Sequence, residues 1–208
     1  TTLINLLSGE LAPSSGRIFF KEYDITRASA DKISRIGIGR SFQKTNIFPN
    51  FSCFQNCWVG AQSRLGSSMR FFRPARHLRE VHRRTDRALQ LCGLSHRRNT
   101  PASAMSYGEQ RQLEIGMMLA TEPELLLLDE PLAGMGSEES KQITALLKEL
   151  ARDHTLILIE HDMDAVFALA DRISVLVYGE VIATGTADEI RQDPQVRQAY
   201  LGDEEEAS

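Results

Sequence analysis

Two adjacent carboxylates close an apolar run in Leu125-Leu126-Leu127-Leu128-Asp129-Glu130-Pro131. A short, continuously apolar run reads as a strand buried on both faces. The C-terminal ends of such strands are where α/β sheets hold their ligands. Asp129 can hold Mg²⁺ there through the ion's water shell. Glu130 can orient and deprotonate a water that attacks a phosphoryl group. A pair that merely caps the next loop is the structural alternative. Upstream, Ser106-Tyr107-Gly108-Glu109-Gln110 opens a helical stretch that runs on through Leu113 to Ala120. A hydroxyl, exposed backbone N–H groups and the positive end of a helix dipole suit a phosphate, although alone this is an ordinary Ser-capped helix. His161 follows the apolar run Leu156 to Ile159. One His after a strand is usually structural, but its place at the ligand end of a sheet favours function.

These residues need a scaffold, and the periodicity supplies one. Leu125 to Leu128, Leu156 to Ile159 and Ile173 to Val177 read as buried strands. Between the first two, Gly136-Ser137-Glu138-Glu139 starts a helix, with Ser137 as candidate N-cap and acids in the first turn. Ile143, Leu146, Leu147 and Leu150 form its buried stripe, and Met163, Val166, Phe167 and Ala170 repeat the pattern. The resulting β-α-β-α-β run implies a largely parallel sheet with right-handed crossovers. Near the start, a helix over Leu3 to Leu7 precedes a small ribbon at Arg17 to Phe20 and Asp24-Ile25.

Composition narrows the class. The 208 residues carry 28 acidic against 24 basic side chains, a net charge of −4, with 42% apolar residues. That is ordinary for a globular chain, and the mild acidity gives no general reason to expect nucleic acid as a partner. Only 14 Gly, 7 Pro and 3 Cys exclude collagen-like, disordered and disulfide-scaffold chains. No apolar run approaches the ~20 residues a membrane span needs. The first residues lack the basic region, long apolar region and cleavage site of a secretory signal. Cys53, Cys57 and Cys92 lack the spacing of a zinc site and read as packed free thiols of a reducing compartment. From Arg64 to Arg98 there are ten Arg against Glu80 and Asp86. A solvated helix face or an acidic partner accounts for this stretch better than lipid headgroups or nucleic acid, because no aromatic interleaving accompanies it.

The motifs gain meaning from their order. Gln43 in Gly39-Arg40-Ser41-Phe42-Gln43, then Ser106 to Gln110, then Asp129-Glu130, then Glu160-His161-Asp162 resemble the nucleotide-binding subunit of an ATP-binding-cassette (ABC) transporter. In that family they are the glutamine loop, signature motif, Walker B with catalytic Glu, and switch histidine. The resemblance covers essentially the whole chain. It implies an α/β P-loop NTPase (RecA-like) core with a mainly parallel sheet and an inserted α-helical subdomain. The core would comprise residues 1–44 and 119–208, and the insert residues 45–118. Thr1-Thr2-Leu3-Ile4-Asn5-Leu6-Leu7-Ser8-Gly9 is similar to the end of the phosphate loop and its helix. The resemblance then places that loop's glycines and lysine, and the adenine-stacking aromatic, before Thr1.

Roles follow from the resemblance residue by residue. Thr1 and Asp129 would hold Mg²⁺, and Gln43 would contact the metal and the attacking water. Glu130 would be the general base and His161 would contact the γ-phosphate. Thr1 and Thr2 would lie against the nucleotide. Ser106, Tyr107, Gly108, Glu109 and Gln110 would close over ATP held by the opposite subunit of a head-to-tail homo- or heterodimer. The pattern departs from the family at Met105 and Tyr107, where Leu and Gly are usual, and at Gly136, where Asp or Asn is usual.

Phe42 to Pro49, Ser106 to Ile115 and Ile159 to Met163 resemble the ATPase of bacterial branched-chain amino acid importers. The Arg-rich insert and the ending Asp193 to Gly202 agree. That resemblance implies membrane permease subunits, an indirect link to a periplasmic substrate-binding protein, and a place on the cytoplasmic face of the inner membrane. A urea or short-chain amide importer, a soluble ABC-type ATPase and a non-hydrolysing interaction fragment are the alternative readings. Ile47, Phe48 and Phe51 either form a groove for a permease helix or pack in the core.

Overall fold

The computed structural model describes residues 1–41, 46–64 and 75–201. Two compact units emerge, Thr1–Ile159 and Glu160–Ser208. In the first, helix α1 (Thr2–Leu7) is followed by the ribbon β1 (Phe19–Phe20) and β2 (Tyr23–Asp24), then α2 (Ala30–Arg35) and β3 (Ile38–Arg40). Helices α3 (Cys53–Ser63), α4 (Ala75–Leu91) and α5 (Tyr107–Leu119) come next. Strand β4 (Leu125–Asp129), helix α6 (Ser137–Leu150) and strand β5 (Thr155–Ile159) complete the unit.

Strands β3, β4 and β5 form a parallel sheet in that order, with Ile38 opposite Leu125 and Leu125 opposite Thr155. Leu126, Leu127 and Leu128 are closed to solvent, as the continuous apolar run requires of a central strand. Residues Leu156 to Ile159 of β5 are only half-buried, because in the described sheet β5 has a neighbour on one side alone. Ile4, Ile25, Ile33, Ile38 and Leu127 make one core cluster, which packs α1 and α2 on the sheet. Helix α6 buries Ile143, Leu147 and Leu150 as its stripe predicts. Its N-cap is Gly136 rather than Ser137, and Ser137 occupies the first helical position with no side-chain cap.

In the second unit, α7 (Met163–Leu169) precedes β6 (Ile173–Val177), β7 (Glu180–Gly185) and α8 (Ala187–Gln192). Here the sequence expectation needs correcting. Strand β6 pairs antiparallel with β7, not as a further parallel strand. The Tyr178-Gly179 turn has φ of 51° and 86°, the left-handed geometry of a two-residue hairpin. Exposed Ser174 and Leu176 alternate with buried Ile173 and Val175, so the strand is covered on one face only.

Part of the Arg-rich stretch is used internally. Arg64 donates to the carbonyls of Arg35, Thr121 and Glu122, tying the end of α3 to α2 and to the end of α5. Arg83 and Arg84 pair with Glu80, Arg84 with Glu122, Arg97 with Glu109 and Arg98 with Asp86. The Gly66 to Pro74 part and the acidic Asp203 to Glu206 ending lie outside the described residues. All three cysteines are free and buried, and burial raises each thiol above its ordinary range, which leaves them unreactive.

Helices α3 and α5 approach so closely at Gly60 that an added Cβ would lie 2.2 Å from the Met117 carbonyl oxygen. Overpacking of that kind costs about 1–3 kcal/mol. Gly60→Ala is therefore expected to lower stability by that amount in urea unfolding, and an unchanged midpoint would contradict the close helix approach.

Candidate nucleotide site

The C-terminal end of β4 brings Asp129 and Glu130 to the start of α1 at Thr1. Asp129 is fully buried, and among the described residues neither carboxylate oxygen accepts a hydrogen bond. The Thr1 amino group lies 3.5 Å from its Oδ1, so the start of α1 and the end of β4 face each other. Arg40 keeps α1 in that place. Its guanidinium donates to Asn5 Oδ1 at 2.5 Å and Ser8 Oγ at 2.7 Å, and pairs with Glu10 at 2.9 Å. Ser41 links β3 to the same spot, donating its N–H to the Leu127 carbonyl at 2.9 Å and accepting the Asp129 N–H at 3.4 Å. Gln43, two residues on, lies outside the described residues.

A buried carboxylate that accepts no hydrogen bond is a poor final state and a good cation ligand. Among the described residues no three His, Cys, Asp or Glu side chains converge as a metal cage. Mg²⁺ suits such a site, because it keeps several waters and takes one or two carboxylates plus substrate phosphates. Glu130 follows with φ of 46°, in the left-handed region, and donates its N–H to the Ile159 carbonyl at 2.9 Å.

The Ser106 motif forms the start of α5. Ser106 Oγ accepts the Glu109 N–H at 3.2 Å, and Glu109 Oε2 accepts the Ser106 N–H at 3.0 Å, closing a capping box. Glu109 also pairs with Arg97 at 2.9 Å. Gln110 donates its amide to the carbonyls of Ala102 and Met105, both at 3.2 Å. Glu109 and Gln110 thus build the turn, while Ser106 and Tyr107 remain exposed. The Tyr107 hydroxyl donates to the Ala133 carbonyl at 3.4 Å. The Gly108 N–H donates to Glu139 Oε1 at 3.1 Å, so a carboxylate already lies where this helix start attracts negative charge. His161 lies in the second unit, exposed, two residues beyond the end of β5 in the chain.

Sequence reasoning missed Arg40, Arg111, Glu114 and Glu139. The first three had a readable signal, since charged residues amid Leu, Ile and Gly on buried elements must be paired.

The sequence profile of the ABC transporter family matches residues 1–133. The chain belongs to the ABC transporter family. A profile described as "Branched-chain amino acid ATP-binding cassette transporter" matches residues 180–206. The cassette is similar to LivG of Salmonella typhimurium, the "High-affinity branched-chain amino acid transport ATP-binding protein", at 37% identity over 98% of this chain and 82% of LivG. It is 35% identical to BraF of Pseudomonas aeruginosa, with the same coverage. Its fold matches the crystal structure of the ADP conformation of MJ1267, an ATP-binding cassette of an ABC transporter. That match has a TM-score of 0.81 and 28% identity over 97% of this chain and 83% of the other.

The capping box makes a pH prediction for the cassette. Burial works against the Glu109 charge, but the Ser106 N–H and Arg97 outweigh it and hold its pKa below the ordinary value. A depressed carboxyl pKa adds stability above the unfolded value of about 4.3, and that stability is lost as pH falls through the folded value. Glu109→Gln keeps the capping geometry without the charge. The stability gap between parent and variant should therefore narrow from about pH 6 to about pH 3. A gap constant over that range would show that the carboxylate is not held ionised.

Proposed function

We propose that the cassette binds and hydrolyses Mg²⁺-ATP and couples that cycle to the import of branched-chain amino acids. The observation that carries this reading is the fully buried Asp129 carboxylate, without a hydrogen bond among the described residues, beside Glu130 and facing the start of α1. In this reading Asp129 and the Thr1 hydroxyl hold the metal, Gln43 contacts metal and water, and Thr2 lies against the nucleotide. Bound Mg²⁺ neutralises charge on the β- and γ-phosphates. Glu130 accepts a proton from the attacking water and His161 contacts the γ-phosphate. Ser106, Tyr107 and Gly108 meet ATP held by a second cassette, and Glu109 and Gln110 hold the turn that presents them. Residues 45–118 act as a helical subdomain inserted into the core, a division that the mutual packing of α3, α4 and α5 supports.

The names of LivG and BraF support the substrate class. Among the described residues no helix is long and apolar enough to cross a membrane, so in this reading the pore belongs to permease subunits. The cassette then works at the cytoplasmic face of the membrane, as one half of a homo- or heterodimer. A periplasmic binding protein delivers substrate on the far side. Phe48 and Phe51 stack with ring centroids 5.2 Å apart while 45% and 42% exposed, which supports a permease contact over core packing.

Glu130→Gln tests the chemistry. In the full-length subunit assembled with its permease, the variant should bind ATP as the parent does. It should lose turnover and leucine uptake together, by about 100-fold or more, as expected when a general base is removed. Parent-like turnover would remove Glu130 as the base.

A further inference from the structure

We infer that Arg111, held by Glu114, is the positioning residue that aims Glu130 at the attacking water. This rests on the reading of Glu130 as the general base. The Arg111 side chain is almost completely buried in α5, and its guanidinium pairs with the equally buried Glu114 one turn further on. The same guanidinium lies under three successive carbonyls at the end of β4. It donates to Asp129 O at 3.2 Å, Glu130 O at 3.4 Å and Pro131 O at 3.4 Å. Its planar fork of five N–H donors can serve a carboxylate and several carbonyls at once, which an ammonium group cannot.

Glu130 needs that support. A non-glycine residue with φ of 46° persists only where its surroundings over-determine the backbone. On the amide side, the Glu130 N–H is held by the Ile159 carbonyl at 2.9 Å. On the carbonyl side Glu130 O accepts the Ala133 N–H at 3.2 Å and the Arg111 guanidinium at 3.4 Å, and Arg111 also reaches the flanking carbonyls of Asp129 and Pro131. The two together fix the peptide planes flanking Glu130 and hence the direction of its Cα–Cβ bond.

The test compares Arg111→Lys, the double variant Arg111→Met with Glu114→Met, and Glu130→Gln in the full-length subunit. Turnover, ATP affinity and thermal midpoint are measured for each. Arg111→Lys keeps a charge opposite Glu114, and the double variant removes both buried charges together, so both are designed to fold. A misplaced base costs turnover without loss of binding. Both Arg111 variants should therefore lose kcat by about 10- to 100-fold with ATP affinity within about twofold of the parent. Parent-like kcat in Arg111→Lys, while Glu130→Gln is inactive, overturns the positioning role and leaves the base assignment standing. A joint fall of kcat, ATP affinity and thermal midpoint in both variants also overturns it, because that pattern marks a purely structural ion pair. Parent-like turnover in Glu130→Gln overturns the base assignment itself.

Discussion

Asp129 stands at the end of a strand whose Leu126, Leu127 and Leu128 are closed to solvent, and its two oxygens accept no hydrogen bond among the described residues. Water solvates a carboxylate far better than leucine side chains do. Even after relaxation, burying such an ion is opposed by about several kcal/mol. A fold that keeps this arrangement must bring a cation to it, and the surrounding construction reads as the means. Arg40 ties α1 through Asn5, Ser8 and Glu10, and the start of that helix faces the carboxylate. Ser41 joins β3 to β4 at the same level. The parallel pairing of β3, β4 and β5 then presents the Asp129 and Glu130 end of β4 at one edge of the sheet.

The next residue poses a second demand. Glu130 adopts a left-handed backbone, so the turn that carries it must be braced from both sides. Buried and half-buried guanidinium groups recur as the brace in this unit. Arg40 anchors α1, Arg64 gathers carbonyls from Arg35, Thr121 and Glu122, and Arg111 spans the carbonyls from Asp129 to Pro131. Exposed pairs such as Arg83 with Glu80 are of a different kind, since solvent-screened ion pairs contribute about 0–1 kcal/mol. The high arginine content of the middle segment thus divides into a few braces and a solvated helix face. That face needs no nucleic acid or lipid to explain it.

Much of this was legible from residue types. The leucine run located β4, Ser106 before a helical stretch predicted a Ser-capped helix, and the order of four motifs pointed to the family. What failed was strand pairing. Ile173 to Val177 looks like another buried parallel strand because apolar content says nothing of the partner, and the Tyr178-Gly179 turn chemistry decided instead. Ser137 lost the N-cap because Gly136 ended the loop in extended backbone one residue earlier. Arg111 and Glu114 escaped notice because they stand within a motif read for its phosphate-facing residues. Their place amid Leu113, Ile115 and Gly116 was the signal that they are buried and paired.

The central claim is that the buried Asp129 carboxylate is kept for a metal-bound nucleotide at the expense of stability. It is tested most directly by Asp129→Asn in the full-length subunit, followed by thermal unfolding with and without Mg²⁺ and ATP. The account predicts a higher midpoint for the nucleotide-free variant than for the parent, because a neutral amide is easier to bury. It also predicts loss of the Mg²⁺-dependent rise in midpoint that ATP gives the parent. A lower nucleotide-free midpoint together with an undiminished Mg²⁺-ATP shift would contradict it.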